Sequence, residues 1–174
     1  MSDGSFNRNF TIGQGTSSGS STSYIARLRT TTAGSNGTSP EVRTPNNVVS
    51  TSNIQHIVFT HASDGTERFY VDGILRETDT RSGNFSNWDN YDLAFANEIN
   101  ATGRSWKGEI YLGAIYNRGL TSNEVIRNYN EGLCFGSVGT LSITELPEDE
   151  YFFGCGVGQT IDLYGSGVDY YSWT

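Results

Sequence analysis

Ile54-Gln55-His56-Ile57-Val58-Phe59-Thr60-His61, the turn Ala62-Ser63-Asp64-Gly65-Thr66, Arg68-Phe69-Tyr70-Val71 and the stop at Asp72-Gly73 together decide how this chain folds. Apolar and polar residues alternate with the period of two that a half-buried strand requires. Asp64-Gly65 and Asp72-Gly73 are hairpin signals, so strands are expected at Ile54–His61, Arg68–Val71 and Leu75–Thr80 in succession. Downstream, Trp106 to Asn117 reads as a long strand in which Gly108 and Gly113 mark bulges or close sheet-to-sheet approach. Arg118-Gly119-Leu120 then leads into a short helix, Thr121 to Glu131. Thr121 stands at the N-cap with Glu124 three residues on, a capping-box spacing, and Gly132 falls where a left-handed C-terminal glycine belongs. Val125, Ile126 and Tyr129 form the stripe expected to be buried, with the helix lying across the sheets as a lid.

Composition agrees with an all-β reading. Hydrophobic residues make up 35% of the 174, low for a compact enzyme, while aromatics reach 13%, so the core is expected to be built from Phe, Tyr and Trp. Gly, Ser, Thr and Asn are abundant, as antiparallel sheets with many turns require. The formal net charge is −8, and Lys107 is the one lysine beside ten arginines. An acidic chain without a basic stripe argues against nucleic acid, whose affinity comes largely from phosphate neutralisation. No apolar run reaches the ~18 residues needed to span a bilayer.

The remaining strands follow the same logic. Ser5 to Gln14 alternates, with Phe6, Arg8, Phe10 and Ile12 on one parity; residues 15–23 are a Gly/Ser/Thr loop; Tyr24 to Thr30 is a strand. Residues 31–53 form a long irregular excursion with one short strand near Glu41-Val42-Arg43. Tyr91 to Glu98 reads as a further strand, and Asn100 to Gly103 as the turn into Trp106. Glu98 and Arg104 flank that turn and are expected to pair across it as structural support.

In this order, a strand before "YVDG", a Gly-interrupted late strand and "IYNRGLTSNEV…YNEG" resemble the laminin-G-like, concanavalin-A-like jelly-roll domains of secreted bacterial proteins, over roughly residues 5 to 133. The resemblance implies a two-sheet antiparallel jelly-roll sandwich with one short helix near 121–131. It implies a domain at 1–136 from which N-terminal strands are missing. Residues 137–150, with the cluster Glu145-Leu146-Pro147-Glu148-Asp149-Glu150, then read as an acidic linker. Residues 151–174 look like the opening strands of an immunoglobulin-like or PKD-like repeat, with Trp173 as its core tryptophan. Export, also implied, allows a bridge between Cys134 and Cys155, or a bridge from Cys155 to a residue outside the chain. An extracellular or cell-surface location is expected on the same ground.

Catalysis has no visible constellation. Enzymes on such sandwiches place carboxylates as E-x-D-x-x-E on one strand face, and Glu77-Thr78-Asp79 lacks the third acid. His56 and His61 have no partners at zinc-ligand spacing. The candidate ligand residues are Trp88, Asp89, Asn90 and Asp92 in the loop Ser86 to Asp92, where an aromatic face and several oxygens coincide. Ca²⁺ is the cofactor to weigh, at Asp89 and Asp92, on ligand type alone; Asx residues in turns also serve purely conformational ends. The function expected is a non-catalytic binding or adhesion module for a glycan or a surface protein, beside neighbouring domains of the same polypeptide and without membrane insertion. The rival readings are an accessory or degenerate domain of a glycoside hydrolase, and a purely structural spacer.

Overall fold

The computed structural model describes residues 1–4, 6–15, 22–38, 40–99 and 106–132. The chain divides into units at 1–129 and 130–174, and only the first three residues of the second lie among those described. The acidic linker, the repeat expected at 151–174, Cys134, Cys155 and Arg104 therefore fall outside the described residues.

Eight strands and one helix make up the described part: β1 (Ser2–Asp3), β2 (Asn7–Arg8), β3 (Phe10–Gln14), β4 (Tyr24–Leu28), β5 (Val42–Arg43), β6 (Ile57–His61), β7 (Thr66–Val71), β8 (Ile74–Thr80) and α1 (Ser122–Glu131). They form three antiparallel sheets, β1-β2, β3-β4-β5 and β6-β7-β8. The expected strand over Ser5–Gln14 is thus divided into β2 and β3.

The two three-stranded sheets meet face to face. Tyr24, Ala26 and Val42 from one and Phe69 and Val71 from the other are buried together, with Ile57, Phe59 and Trp106 packed around them. Period-two alternation assigns the faces: Phe69 and Val71 point into this core, while Tyr70 points to the opposite face with Val58, Leu120 and Val125. Tyr24 and Phe69 stack at 6.4 Å across the sheets, and the Phe59 and Phe69 rings meet tilted at 6.1 Å between paired strands.

Both hairpin signals are real turns. Asp72 (φ 54°) and Gly73 (φ 73°) form a two-residue connection between the paired residues Val71 and Ile74, the left-handed pair that an Asp-Gly hairpin needs. Gly65 (φ 85°) closes the other turn, and a Cβ there would collide with the Arg81 carbonyl. One extra residue, Arg76, lies in β8 where the register shifts beside Phe69 and Tyr70, a β-bulge.

Charge is buried inside this small sandwich. Glu67 is fully buried and accepts from Arg81 Nε at 2.6 Å, while Arg81 also donates to the Pro40 carbonyl. Glu41 bridges Arg27 and Arg43 from adjacent strands.

At α1, the Glu124 N–H donates to Thr121 Oγ1 at 3.3 Å and the Thr121 N–H donates back to Glu124 at 2.7 Å, a reciprocal capping box. Gly132, at φ 66°, follows the last turn. The buried stripe is narrower than expected. Val125 is fully buried, worth about 2 kcal/mol, but Ile126 and Tyr129 are 42% and 43% exposed. Val125 and Leu120 cover Tyr70, whose hydroxyl lies 2.9 Å from Ser122 Oγ, and Tyr129 reaches the hairpin end, stacking on His56.

Two expected strands are absent. Neither Tyr91–Glu98 nor Trp106–Asn117 forms a ladder among the described residues. Trp106 does join the core, and its N–H donates to the Ala96 carbonyl at 2.7 Å. Beyond it the chain lies open, with Leu112 70% and Ile115 62% exposed. Alternation equips a segment to pair, but pairing requires a neighbour, and none of the described strands lies alongside.

Candidate functional site

The loop after β8 is sewn to the segment after β4, one bond at a time. Ser82 O accepts from the Thr30 and Thr32 hydroxyls at 2.8 and 2.7 Å. The Thr31 N–H donates to Asn84 O, and the Asn84 N–H donates to Thr31 Oγ1. Gly83 sits between them at φ 91°, where a Cβ would come within 2.7 Å of Thr31 Oγ1. Asn87 Nδ2 then donates to Thr30 O, and Trp88 Nε1 to Arg29 O at 2.7 Å.

Asp89 is held through its backbone and through one carboxylate oxygen. Its backbone pairs with the side chain of Asn9, fully buried: Asn9 Nδ2 donates to Asp89 O at 2.7 Å, and the Asp89 N–H to Asn9 Oδ1 at 3.1 Å. Its carboxylate oxygen Oδ2 accepts from Arg29 Nη1 at 2.5 Å and from the Tyr91 hydroxyl at 2.9 Å. The Arg29 contact, followed by the Tyr91 hydrogen bond, lowers the Asp89 pKa, and the same carboxylate raises that of Tyr91.

The aromatic arrangement differs from the exposed Trp88 that the polar loop suggests. Trp88 is half-buried between Phe85 (4.8 Å) and Phe10 (6.0 Å), and its indole N–H is already used. Phe85, 41% exposed, is the outward ring, flanked on its other side by His61 at 5.3 Å. Asn90 and Asp92 are exposed and make no side-chain hydrogen bond among the described residues.

Calcium fits this loop poorly. The ion takes six to eight oxygens, whereas an arginine already engages Oδ2 of the Asp89 carboxylate, and no three His, Cys, Asp or Glu side chains converge among the described residues.

Elsewhere, the candidates resolve into structural roles. Glu98 meets Arg8 at 3.1 Å, with the Arg8 side chain almost completely buried; Arg104, its expected partner, lies outside the described residues. His56 stacks on Tyr129, and burial lowers its pKa. His61 lies 3.3 Å from the buried Glu67 carboxylate. The residues that build the rim and that sequence reading passed over are Asn9, Arg29 and Phe85, whereas Tyr91 lies inside the candidate loop. Phe85 immediately precedes the candidate loop and was within reach of a wider window. Asn9 and Arg29 reach Asp89 from 80 and 60 residues away, which no local pattern reports.

Two facing antiparallel sheets with a helix over one outer face, and a loop-built rim, define a β-sandwich architecture. The family model described as "Concanavalin A-like lectin/glucanases superfamily", of the laminin G type, matches residues 2–126, and the chain belongs to that family. Comparison with curated proteins and with solved structures found no match.

Proposed function

We propose that this domain is a non-catalytic carbohydrate-binding module of a secreted or cell-surface protein, and that it binds through the rim loop 82–92. The observation that carries the reading is the exposed Phe85 ring, backed by Trp88 and set in the same loop as the exposed, unpartnered Asn90 and Asp92. An aromatic ring offers a flat apolar surface to the C–H face of a pyranose, and neighbouring carboxylate and amide groups bind its hydroxyls. Membership of a superfamily that contains lectins supports the same assignment, although a fold alone never names a ligand. The non-catalytic part rests on the acids: Glu41, Glu67, Glu98 and Glu124 are each ion-paired with arginine, which engages the carboxylate a general acid or base would use.

Glycan-array screening of the full chain, followed by calorimetry on the best sugar, tests it. Phe85→Ala should weaken binding about tenfold, with Ile12→Ala, exposed on β3, as the control. Equal affinities in the two variants would move the binding surface away from the rim.

A further inference from the structure

The acidic side of the rim carries its own counter-charge. Arg29 leaves β4 with its side chain 14% exposed and places Nη1 2.5 Å from Asp89 Oδ2. Tyr91 donates to the same oxygen, and the buried Asn9 amide fixes the Asp89 backbone from below with two hydrogen bonds. Trp88 Nε1 anchors the loop to the Arg29 carbonyl, so one residue holds the loop through both its backbone and its guanidinium. These are the tasks a rim cation performs in a loop of acids: neutralising a carboxylate and gathering neighbouring segments around it.

We propose that Arg29 is the built-in cation of this rim, and that the loop 82–92 is organised, and meets its ligand, without calcium. The first half stands on the geometry alone; the second rests on the carbohydrate-binding reading. Guanidinium suits the role because it stays charged at all accessible pH values and binds carboxylate in a fixed plane, with no dependence on ion concentration. A calcium ion taking Asp89 Oδ2 would have to displace this arginine and leave its largely buried charge poorly solvated.

The test uses the full chain and calcium chloride as the probe. Calorimetry and thermal melts in calcium against EDTA, at matched ionic strength, should give no saturable heat and an unchanged midpoint. Saturable binding with a raised midpoint, both abolished in Asp89→Asn, would overturn the proposal. A calcium effect abolished in Asp92→Asn, in the same loop, would overturn it as well, whereas one that survives both substitutions places the ion elsewhere and upholds it. In parallel, Arg29→Gln should increase proteolytic cutting within 82–92 about tenfold, with Arg29→Lys intermediate. Unchanged cutting in a folded Arg29→Gln overturns the role given to Arg29; if that variant does not fold, Tyr91→Phe, which removes one bond to the same oxygen, should show a smaller rise in its place. None of these readouts needs a sugar, so failure of the glycan screen would count against the proposed function without deciding this question. With a sugar in hand, EDTA should leave its affinity unchanged, and a loss of affinity in EDTA restored by calcium would overturn the second half.

Discussion

Asp72 and His56 hold each other twice: the Asp72 N–H donates to the His56 carbonyl at 2.8 Å, and the His56 N–H donates to the Asp72 carboxylate at 2.9 Å. The second carboxylate oxygen accepts from Gln55 Nε2 at 3.1 Å, and Gln55 in turn receives the Ser50 N–H and the Tyr24 hydroxyl. One aspartate therefore ties the hairpin turn to the long excursion before β6. Asp72→Ala should cost about 2–3 kcal/mol, through lost charge-assisted bonds and an unpaired amide. Asp72→Asn, which tolerates positive φ and keeps one acceptor, should cost about half as much. Urea unfolding distinguishes them, and equal losses would show that the carboxylate is dispensable.

The buried Glu67–Arg81 pair predicts an asymmetric mutational response. Removing either partner leaves a charge in the core and should cost about 3–5 kcal/mol, whereas Glu67→Leu with Arg81→Met should recover much of the loss. A double variant no more stable than the worse single variant would contradict this account of the pair.

The capping box has both a mutational and a pH signature. Thr121→Ala should cost about 1 kcal/mol. Glu124, bonded first by Arg118 and then by Thr121, has its pKa lowered to about 2. Because that lies below the unfolded value of ~4.3, its contribution is present above pH ~4.3 and is lost as pH falls toward 2. The pair is surface-exposed, so the loss should stay under about 1 kcal/mol. Far-UV ellipticity across that range should decline in the wild type and stay flatter in Glu124→Gln.

His56 works over a higher window. Burial opposes its charged form and lowers its pKa, so the unfolded chain binds the extra proton first. Stability should therefore be intact above pH ~6.5 and fall as pH drops from there through the lowered value. Thermal midpoints from pH 7.5 to 5 should decline less in His56→Gln; an identical slope would assign the decline to other groups.

What the sequence disclosed was local. Asp64-Gly65, Asp72-Gly73 and the Thr121–Glu124–Gly132 frame act within a few residues of themselves, and each marks an element that is present. What it concealed depends on distant partners. Nothing in Trp106–Asn117 states whether a strand lies beside it, and nothing in "NWDN" states that Trp88 packs between Phe10 and Phe85. Glu67 follows a turn in a polar run, yet folding places it in the interior against Arg81. The candidate loop was legible by its residue types, whereas its outward ring and its internal cation were not.

The open stretch from Ile110 to Tyr116 has a practical consequence for colloidal behaviour. At neutral pH a net charge of −8 keeps molecules apart, although Leu112, Ile115 and Tyr116 are all more than half exposed. Near the isoelectric point, about pH 4.6, that repulsion vanishes while this apolar stretch, outside every ladder among the described residues, remains available. Precipitation should be fastest there and should recede on both sides. Acid titrations of this protein therefore call for dilute samples and light-scattering controls, so that loss of signal from clumping is not read as unfolding.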